Sequence, residues 1–251
     1  MVKLSVCLDL IAAIRRMGGR IDPDPVAAAV LAQVGGADGV TVSWLPEGTG
    51  LQPDEFPLLR RLVQTHLTLI MPPADEVVQG ALTLRPDMVT FVPTGYQSAG
   101  LGSDWANVGW PETDTSGRSL DPIVQVFQDR NILVNVLVSP SATDVRACSK
   151  LNVDSVHLDA SRFATAANAG DEQQALNELA STAKVAARLN MGVSIGRGVT
   201  PQNLPDLAGI WEVEEVVVGH AVAARAMAVG LERAVRDLVD VIRHAPNRPG
   251  E

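Results

Sequence analysis

The sequence is poor in the residues that build disulfide scaffolds and covalent lysine sites. Its 251 residues include two cysteines, Cys7 and Cys148, and three lysines, and aromatic residues make up 4%. Two cysteines cannot cross-link a chain of this length into a disulfide scaffold, so we interpret both as reduced thiols. The lysines fall at a strand start and in helical stretches, which argues against an enzyme that forms a Schiff base.

The sequence also lacks a long hydrophobic run and an excess of positive charge. No apolar stretch reaches the length of a membrane span, and Asp9, Arg15 and Arg16 interrupt the chain where a signal peptide would be apolar. The formal net charge of -9 disfavours nucleic acid, whose phosphates it repels, but is compatible with a local pocket for one small anion. We therefore expect a cytoplasmic protein with no membrane and no nucleic acid among its partners.

Short apolar segments alternate with helical patterns along the chain. Segments rich in Val, Ile, Leu and Thr predict eight strands, at 3–9, 39–43, 67–71, 88–93, 132–139, 155–159, 192–195 and 214–218. Apolar residues spaced by three and four predict helices at 26–34, 55–64, 74–83, 120–129, 142–151, 171–189, 201–207 and 221–244. This alternation predicts an α/β protein, a single-domain (β/α)8 TIM barrel over residues 1–251. The alternative is a doubly wound open sheet with fewer strands.

A weak internal repeat supports parallel strands. Asp38, Asp87 and Asp154 each stand between the end of a predicted helix and the start of a predicted strand. Recurrent helix–Asp–strand units indicate parallel strands joined by right-handed crossovers.

Two segments fall outside this alternation. Residues 94–119, after the fourth strand, are rich in glycine and contain two Trp and one Tyr, which favours a lid or binding loop over a flexible insert. The Pro- and Arg-containing residues 245–251 predict a flexible tail.

Glycine-rich turns follow the last two predicted strands, at the end of a parallel barrel where active sites lie. Gly196-Arg197-Gly198 follows the seventh strand, and Gly219-His220 follows the eighth and opens a helix. Glycine lets backbone N–H groups approach a ligand, and a helix N-terminus favours an anion, so we predict a phosphate or carboxylate site with Arg197 as a charged clamp. Glycines at strand–helix turns are also common for backbone reasons alone.

Other polar residues end the remaining strands. Asp9 is a candidate general base or, equally, a helix N-cap. Asp159 and His157 stand two residues apart and would suit a proton-transfer pair or two metal ligands, but two ligands without a third do not define a metal site. We predict no metal and interpret His157 as a core residue beside a capping aspartate. Ser43 lacks the sequence context of a hydrolase nucleophile.

Several motifs occur in the order and spacing of a known family. They are Asp-Pro-Asp-Pro-Val at 22–26, Gly-Ala-Asp-Gly-Val-Thr-Val at 36–42, Val92-Pro93, Gly196-x-Gly198-Val199-Thr200 with Asn203, and Gly219-His220-Ala221 followed by Arg225-Ala226 and Gly230-Leu231. Through these motifs the chain resembles the pyridoxine 5′-phosphate synthase family over nearly its full length. The resemblance implies a (β/α)8 barrel, a homo-octamer and a lid after the fourth strand. It also implies the condensation of 1-deoxyxylulose 5-phosphate with 3-amino-2-oxopropyl phosphate, without metal or organic cofactor.

The sequence departs from the family pattern at positions that carry its chemistry. The family's catalytic His and Glu on the second and third strands fall at Ser43 and Ile70, and its acid after the seventh strand falls at Arg197. The first strand of the family ends in Asn-x-Asp-His, of which only Asp9 is kept, beside Cys7 and Leu10. Substrate-binding Arg and His positions of the family fall at Gly18, Leu45 and Gly50.

These departures predict a changed reaction, because each positioned acid or base contributes roughly 10²–10⁴-fold to a rate. We expect a barrel repurposed for another condensation, cyclisation or rearrangement of a small carbonyl or anionic metabolite. The alternatives are a non-catalytic small-molecule-binding barrel and a true pyridoxine 5′-phosphate synthase with substituted catalytic groups. The predicted catalytic residues are Asp9, Ser43 and Arg197; the predicted substrate contacts are Cys7, Ile70, Asp159, Gly196, Gly198, Gly219 and His220. No cofactor is expected, and the substrate is expected to carry phosphate or carboxylate.

Overall fold

Eight parallel strands form a closed barrel in sequence order. A computed structural model of the chain describes residues 1–19, 21–45, 51–93 and 119–245. The strands are β1 (Lys3–Cys7), β2 (Gly39–Ser43), β3 (His66–Met71), β4 (Met88–Phe91), β5 (Leu133–Val138), β6 (Ser155–Asp159), β7 (Gly192–Gly196) and β8 (Glu215–Val218). The barrel closes by pairing of β1 with β8, where Lys3 lies opposite Glu215. This confirms the predicted single-domain (β/α)8 barrel.

Helices lie between consecutive strands and cover the barrel. They are α1 (Asp9–Gly18), α2 (Pro25–Val34), α3 (Glu55–Leu62), α4 (Asp75–Leu84), α5 (Asp121–Gln128), α6 (Ala142–Lys150), α7 (Ser161–Ala164), α8 (Ala169–Arg188), α9 (Leu204–Ala208), α10 (His220–Val229) and α11 (Leu231–Arg243). No helix in these ranges is long and apolar enough to cross a membrane. The predicted lid falls outside the described residues from 94 to 118, as does the predicted tail from 246 onward.

The strands alternate between an apolar outer face and a polar inner face. Outer-face residues such as Val6, Val42 and Phe91 are fully buried in the main core. On the inner face, Asn135 Nδ2 on β5 donates to Ser194 Oγ on β7 at 3.1 Å, and this bond spans the interior because β5 and β7 are not neighbours. The interior is therefore held partly by hydrogen bonds, whereas barrels of this type are usually filled by branched apolar side chains.

The aspartates of the internal repeat have a common structural role. Each carboxylate accepts a hydrogen bond from the backbone N–H of the second residue of the preceding strand: Asp38 from Leu4 at 2.9 Å, Asp87 from Leu67 at 2.8 Å and Asp154 from Val134 at 2.8 Å. The repeat is thus explained by side-chain bonds that tie β1, β3 and β5 each to the start of the next strand.

Several predicted boundaries differ from the structure, and two of the differences change an element. The predicted helix 221–244 is two helices, because Gly230 has φ +81° and interrupts the helical conformation between α10 and α11. The predicted strand 3–9 ends at Cys7, and Asp9 is the first residue of a helix that the sequence did not predict. The N-cap of that helix is Leu8, so Asp9 does not have the capping position considered for it. Its carboxylate is used elsewhere, as described below.

Candidate functional site

The carboxyl ends of β1 and β2 bring Asp9 and Ser43 into direct contact. Asp9 is 2% exposed, and Ser43 is fully buried. Asp9 Oδ1 accepts a hydrogen bond from the Ser43 backbone N–H at 2.8 Å, and Oδ2 accepts from Ser43 Oγ at 2.5 Å. The carboxylate is therefore held through both oxygens, and the Ser43 hydroxyl proton is directed at it. This arrangement can polarise the Ser43 oxygen or relay a proton to Asp9.

Cys7 is the last residue of β1 and interacts with Asp9. Burial raises the pKa of the Cys7 thiol well above its usual range, and the negative charge of Asp9 raises it further. The thiol is therefore protonated at neutral pH and unsuited to nucleophilic attack. Gly219 lies against it, since a Cβ on Gly219 would come within 3.3 Å of the Cys7 Cβ. The predicted contact residues Cys7 and Gly219 are thus neighbours across the β1–β8 junction.

Arg197 and Asp159 form an ion pair at the ends of β7 and β6. Arg197 Nε lies 3.3 Å from Asp159 Oδ2, and the two side chains are 9% and 8% exposed. Nε also donates to Ser161 Oγ at 3.3 Å, and Asp159 Oδ1 accepts from the Ser161 N–H at 2.6 Å. The guanidinium charge is compensated by a buried carboxylate, so an anion bound here would share Arg197 with Asp159.

His157 occupies the inner face of β6 one layer below Asp159. It is 7% exposed, and its Nδ1 lies 2.8 Å from Ser194 Oγ. Burial, and then the charge of Arg197, lowers the pKa of His157 to about 4, so the imidazole is neutral at pH 7. The interpretation of His157 as a core residue captured its burial but missed its position beneath the site. The two-residue spacing from Asp159 is the signal that places both on one face.

Gly196 packs closely against His157. A Cβ at this position would lie 2.5 Å from His157 Nε2 and 2.7 Å from its Cε1. The lack of a side chain at Gly196 therefore makes room for the His157 imidazole. The close contact that requires a glycine at this position is made by a side chain of the protein.

Gly198 and His220 flank the predicted anion site. Gly198 has φ +77°, which favours glycine, and its carbonyl oxygen accepts from Asn203 Nδ2 at 3.0 Å. The N-terminus of α10 has no side-chain cap at Gly219, and His220 is its exposed first residue. Backbone N–H groups at such a helix start carry partial positive charge. This part of the site suits an anion.

The opposite part of the barrel mouth is apolar. Ile70 on β3 is 8% exposed and clusters with Val92 and Leu137, against which the half-buried Leu45 packs. This cluster is separate from the main core. Among the residues that the structure describes, the mouth therefore combines a polar half, from β1, β2 and β6 to β8, with an apolar half from β3 to β5. Within the described ranges, no group of three or more His, Cys, Asp or Glu side chains is arranged to hold a metal ion.

Comparison with known families matches the chain over nearly its whole length. A family model described as pyridoxal phosphate biosynthesis protein PdxJ matches residues 4–244. The pyridoxine 5′-phosphate synthase of Geotalea uraniireducens is 34% identical over 245 residues, covering 98% of this chain and 100% of the relative. The enzyme of the same name from Geobacter metallireducens is 36% identical over 245 residues, with the same two coverages.

Solved structures of low sequence identity share the fold. Orotidine 5′-monophosphate decarboxylase from Sulfolobus solfataricus has a TM-score of 0.62 and 12% identity, covering 97% of this chain and 98% of the other. This similarity shows a common barrel and carries no information on the reaction.

Proposed function

Because the chain belongs to the family of pyridoxal phosphate biosynthesis protein PdxJ, we propose that it is a pyridoxine 5′-phosphate synthase with substituted catalytic groups. The full-length match to synthases at 34% and 36% identity is the observation that supports this most. The repurposed reaction expected from the substitutions is less well supported, since nothing in the comparisons indicates another reaction.

The polar half of the mouth contains groups for both parts of this reaction. A phosphate group of the substrates would bind at the uncapped start of α10, next to Gly219 and His220. Asp9, with Ser43, would accept and return a proton at one position. His157 is neutral at pH 7, and its pKa of about 4 makes it a weak base there, so we assign it no proton transfer. In this proposal Arg197 orients substrate together with Asp159 and does not donate protons.

A direct assay tests the proposal. The purified chain is incubated with 1-deoxyxylulose 5-phosphate and 3-amino-2-oxopropyl phosphate, and pyridoxine 5′-phosphate is measured by mass spectrometry. We expect product from the unaltered chain and a loss of roughly 10²–10⁴-fold in kcat for Asp9→Asn, because an amide cannot take the proton.

Asp171→Asn is the matched control, because Asp171 also lies in the first turn of a helix but is exposed. It should retain the full rate. Absence of product from a folded chain would refute the proposal, and unchanged turnover in Asp9→Asn would refute the role of Asp9.

A second function is favoured by one observation, the apolar cluster of Ile70, Val92 and Leu137. A mouth with this half-apolar lining suits the condensation of one phosphorylated substrate with a second substrate that is less polar. This function predicts that phosphate compounds raise the melting temperature of the protein while the two synthase substrates give no product.

The proposal also includes a cytoplasmic homo-oligomer, an octamer as the family resemblance implies. Exposed apolar side chains on α2 and α3 support association, since large apolar patches on soluble proteins usually mark interfaces. They are Val30, Leu31, Val34, Leu58 and Leu62, with exposures between 39% and 58%.

A further inference from the structure

A second cavity lies at the amino end of the barrel, opposite the candidate site. Its volume is about 270 Å³. The first residues of β1, β3, β4, β5, β6, β7 and β8 line it, together with residues just before β2 and β8. Its polar lining includes Lys3, Asp38, His66, Ser155, Glu214 and Glu215. We call it the N-terminal cavity.

Glu214 stands directly before β8, where an aspartate stands before β2, β4 and β6. The backbone N–H of Asp38, Asp87, Asp154 and Glu214 each donates to the carbonyl oxygen of the second residue of the preceding strand. The three aspartates then use their carboxylates to accept from that same residue. Glu214 has a longer side chain, and its carboxylate forms no hydrogen bond with the described chain. It lies over Gly192 instead, where a Cβ would be 3.4 Å from Glu214 Oε2. The side chain is thereby placed at the cavity.

Two further acceptor groups at this cavity lack partners. Ser155 is 8% exposed, and its Oγ is buried without a hydrogen-bond partner in the described ranges. Glu215 lies at the start of β8, and its carboxylate likewise forms no hydrogen bond or ion pair with any residue that the structure describes. A buried polar atom without a partner is costly and uncommon in native proteins. Ser155 Oγ is such an atom, and Glu215 is half-buried; a ligand that donates hydrogen bonds would satisfy both.

The charges around the cavity favour a cation. Asp38, Glu214 and Glu215 supply three carboxyl groups, against Lys3 and His66. Burial lowers the pKa of His66, so its imidazole is mostly neutral at pH 7 and contributes little positive charge. Burial also raises the pKa of Glu215 to about 7; Lys3 opposes this shift, and Asp38 and Glu214 add to it. A bound cation would relieve this mutual repulsion.

We propose that the N-terminal cavity binds a small organic ammonium compound through Glu215, Glu214 and Ser155. The ammonium group donates to these oxygens, and a short alkyl chain contacts Met88 and Leu133, which also line the cavity. Binding here is separate from the chemistry at the carboxyl end of the strands and does not depend on the proposed function.

Calorimetric titration of the full chain with propylamine and putrescine at pH 8 tests the proposal, with butyrate and sodium chloride as comparison ligands. We expect saturable binding of an amine with a stoichiometry of one. Glu215→Gln should weaken it by about tenfold or more, because a charge-assisted hydrogen bond is lost. Ser155→Ala should weaken it less.

Glu232→Gln is the control, since it removes the same charge from an exposed ion pair on α11. It should bind the amine as the unaltered chain does. Equal weakening in Glu232→Gln and Glu215→Gln would show a general charge effect and refute the site. No saturable amine binding, or tighter binding of butyrate, would also overturn the proposal. If Glu215→Gln fails to fold, Ser155→Ala decides, because unchanged affinity in that variant excludes the cavity.

Discussion

At the scale of single residues, His157 shows how surroundings change what a side chain can do. Its Nδ1 lies 2.8 Å from Ser194 Oγ, and Ser194 in turn accepts from Asn135. The ring is fixed by this network, and Gly196 leaves the space that its other edge occupies. A histidine held in this way is neutral over the whole physiological range and is a weak base there.

The lowered pKa of His157 makes stability depend on pH. Its pKa is about 4 in the folded chain and 6.5 as the ordinary value, so between these values the unfolded chain binds more protons. Stability should therefore rise with pH across this window and fall as the pH drops towards 4. His157→Gln should remove this dependence, which amounts to at most about 3 kcal/mol.

Urea unfolding at a series of pH values measures the effect. His244→Gln serves as the control, because His244 is an exposed residue at the end of α11. A pH profile that is the same in His157→Gln and the unaltered chain would contradict the lowered pKa.

At the scale of secondary-structure elements, buried carboxylates link neighbouring units of the barrel. Glu55 on α3 forms a two-point ion pair with Arg15 on α1, with Oε2 accepting from Nη2 at 2.7 Å. Burial by itself would raise the pKa of Glu55, but hydrogen bonds from Arg15 and the Gln52 N–H lower it overall. The helix that the sequence did not predict is thus fastened by a partner 40 positions along the chain.

The aspartates of the repeat provide a testable case at this scale. Asp154 Oδ2 accepts from the Val134 N–H at 2.8 Å and from Gln128 Nε2 at 3.1 Å. Asp154→Ala should lower the free energy of unfolding by about 1–3 kcal/mol, because a part-buried strand N–H loses its partner.

Chemical denaturation measures this change, with Asp129→Ala as the comparison. Asp129 is an exposed carboxylate at the end of α5, so its removal should change stability by less than about 0.5 kcal/mol. Equal effects of the two substitutions would show that the repeat has no structural role.

At the scale of the whole molecule, the barrel has a polar region at each end. The carboxyl ends of the strands carry the ion pair of Arg197 and Asp159 and the contact of Asp9 with Ser43. The amino ends carry the N-terminal cavity with Glu214 and Glu215. Hydrogen bonds between inner-face side chains, such as that of Asn135 to Ser194, stabilise the interior between them.

Association of whole chains can be tested on the apolar patch of α2 and α3. Light scattering coupled to size-exclusion chromatography should give a mass several times 26.5 kDa. Leu31→Glu should lower that mass, because a charge placed in a buried interface is strongly unfavourable. Lys184→Glu, at an exposed position on α8 outside the patch, also introduces a glutamate and should leave the mass unaltered. A monomeric mass for the unaltered chain would contradict the proposed oligomer.

The sequence by itself determined the order of strands, the barrel and the family resemblance. Strand alternation, helical spacing and turn glycines are local properties, and motifs in a constant order survive substitutions at the site. It placed Ser43, Asp159 and Arg197 at the carboxyl ends of their strands, whereas Asp9 lies two residues beyond the end of β1.

Only the tertiary structure decided how these residues pair. Ser43 bonds Asp9 across 34 positions, and Ser194 bonds His157 across 37. Alternation along a strand does not reveal which of its two faces lies inside the barrel. Nor does it reveal which side chains of other strands contact that face. For the same reason the sequence did not reveal that Gly196 packs against His157 or that Arg197 pairs with Asp159.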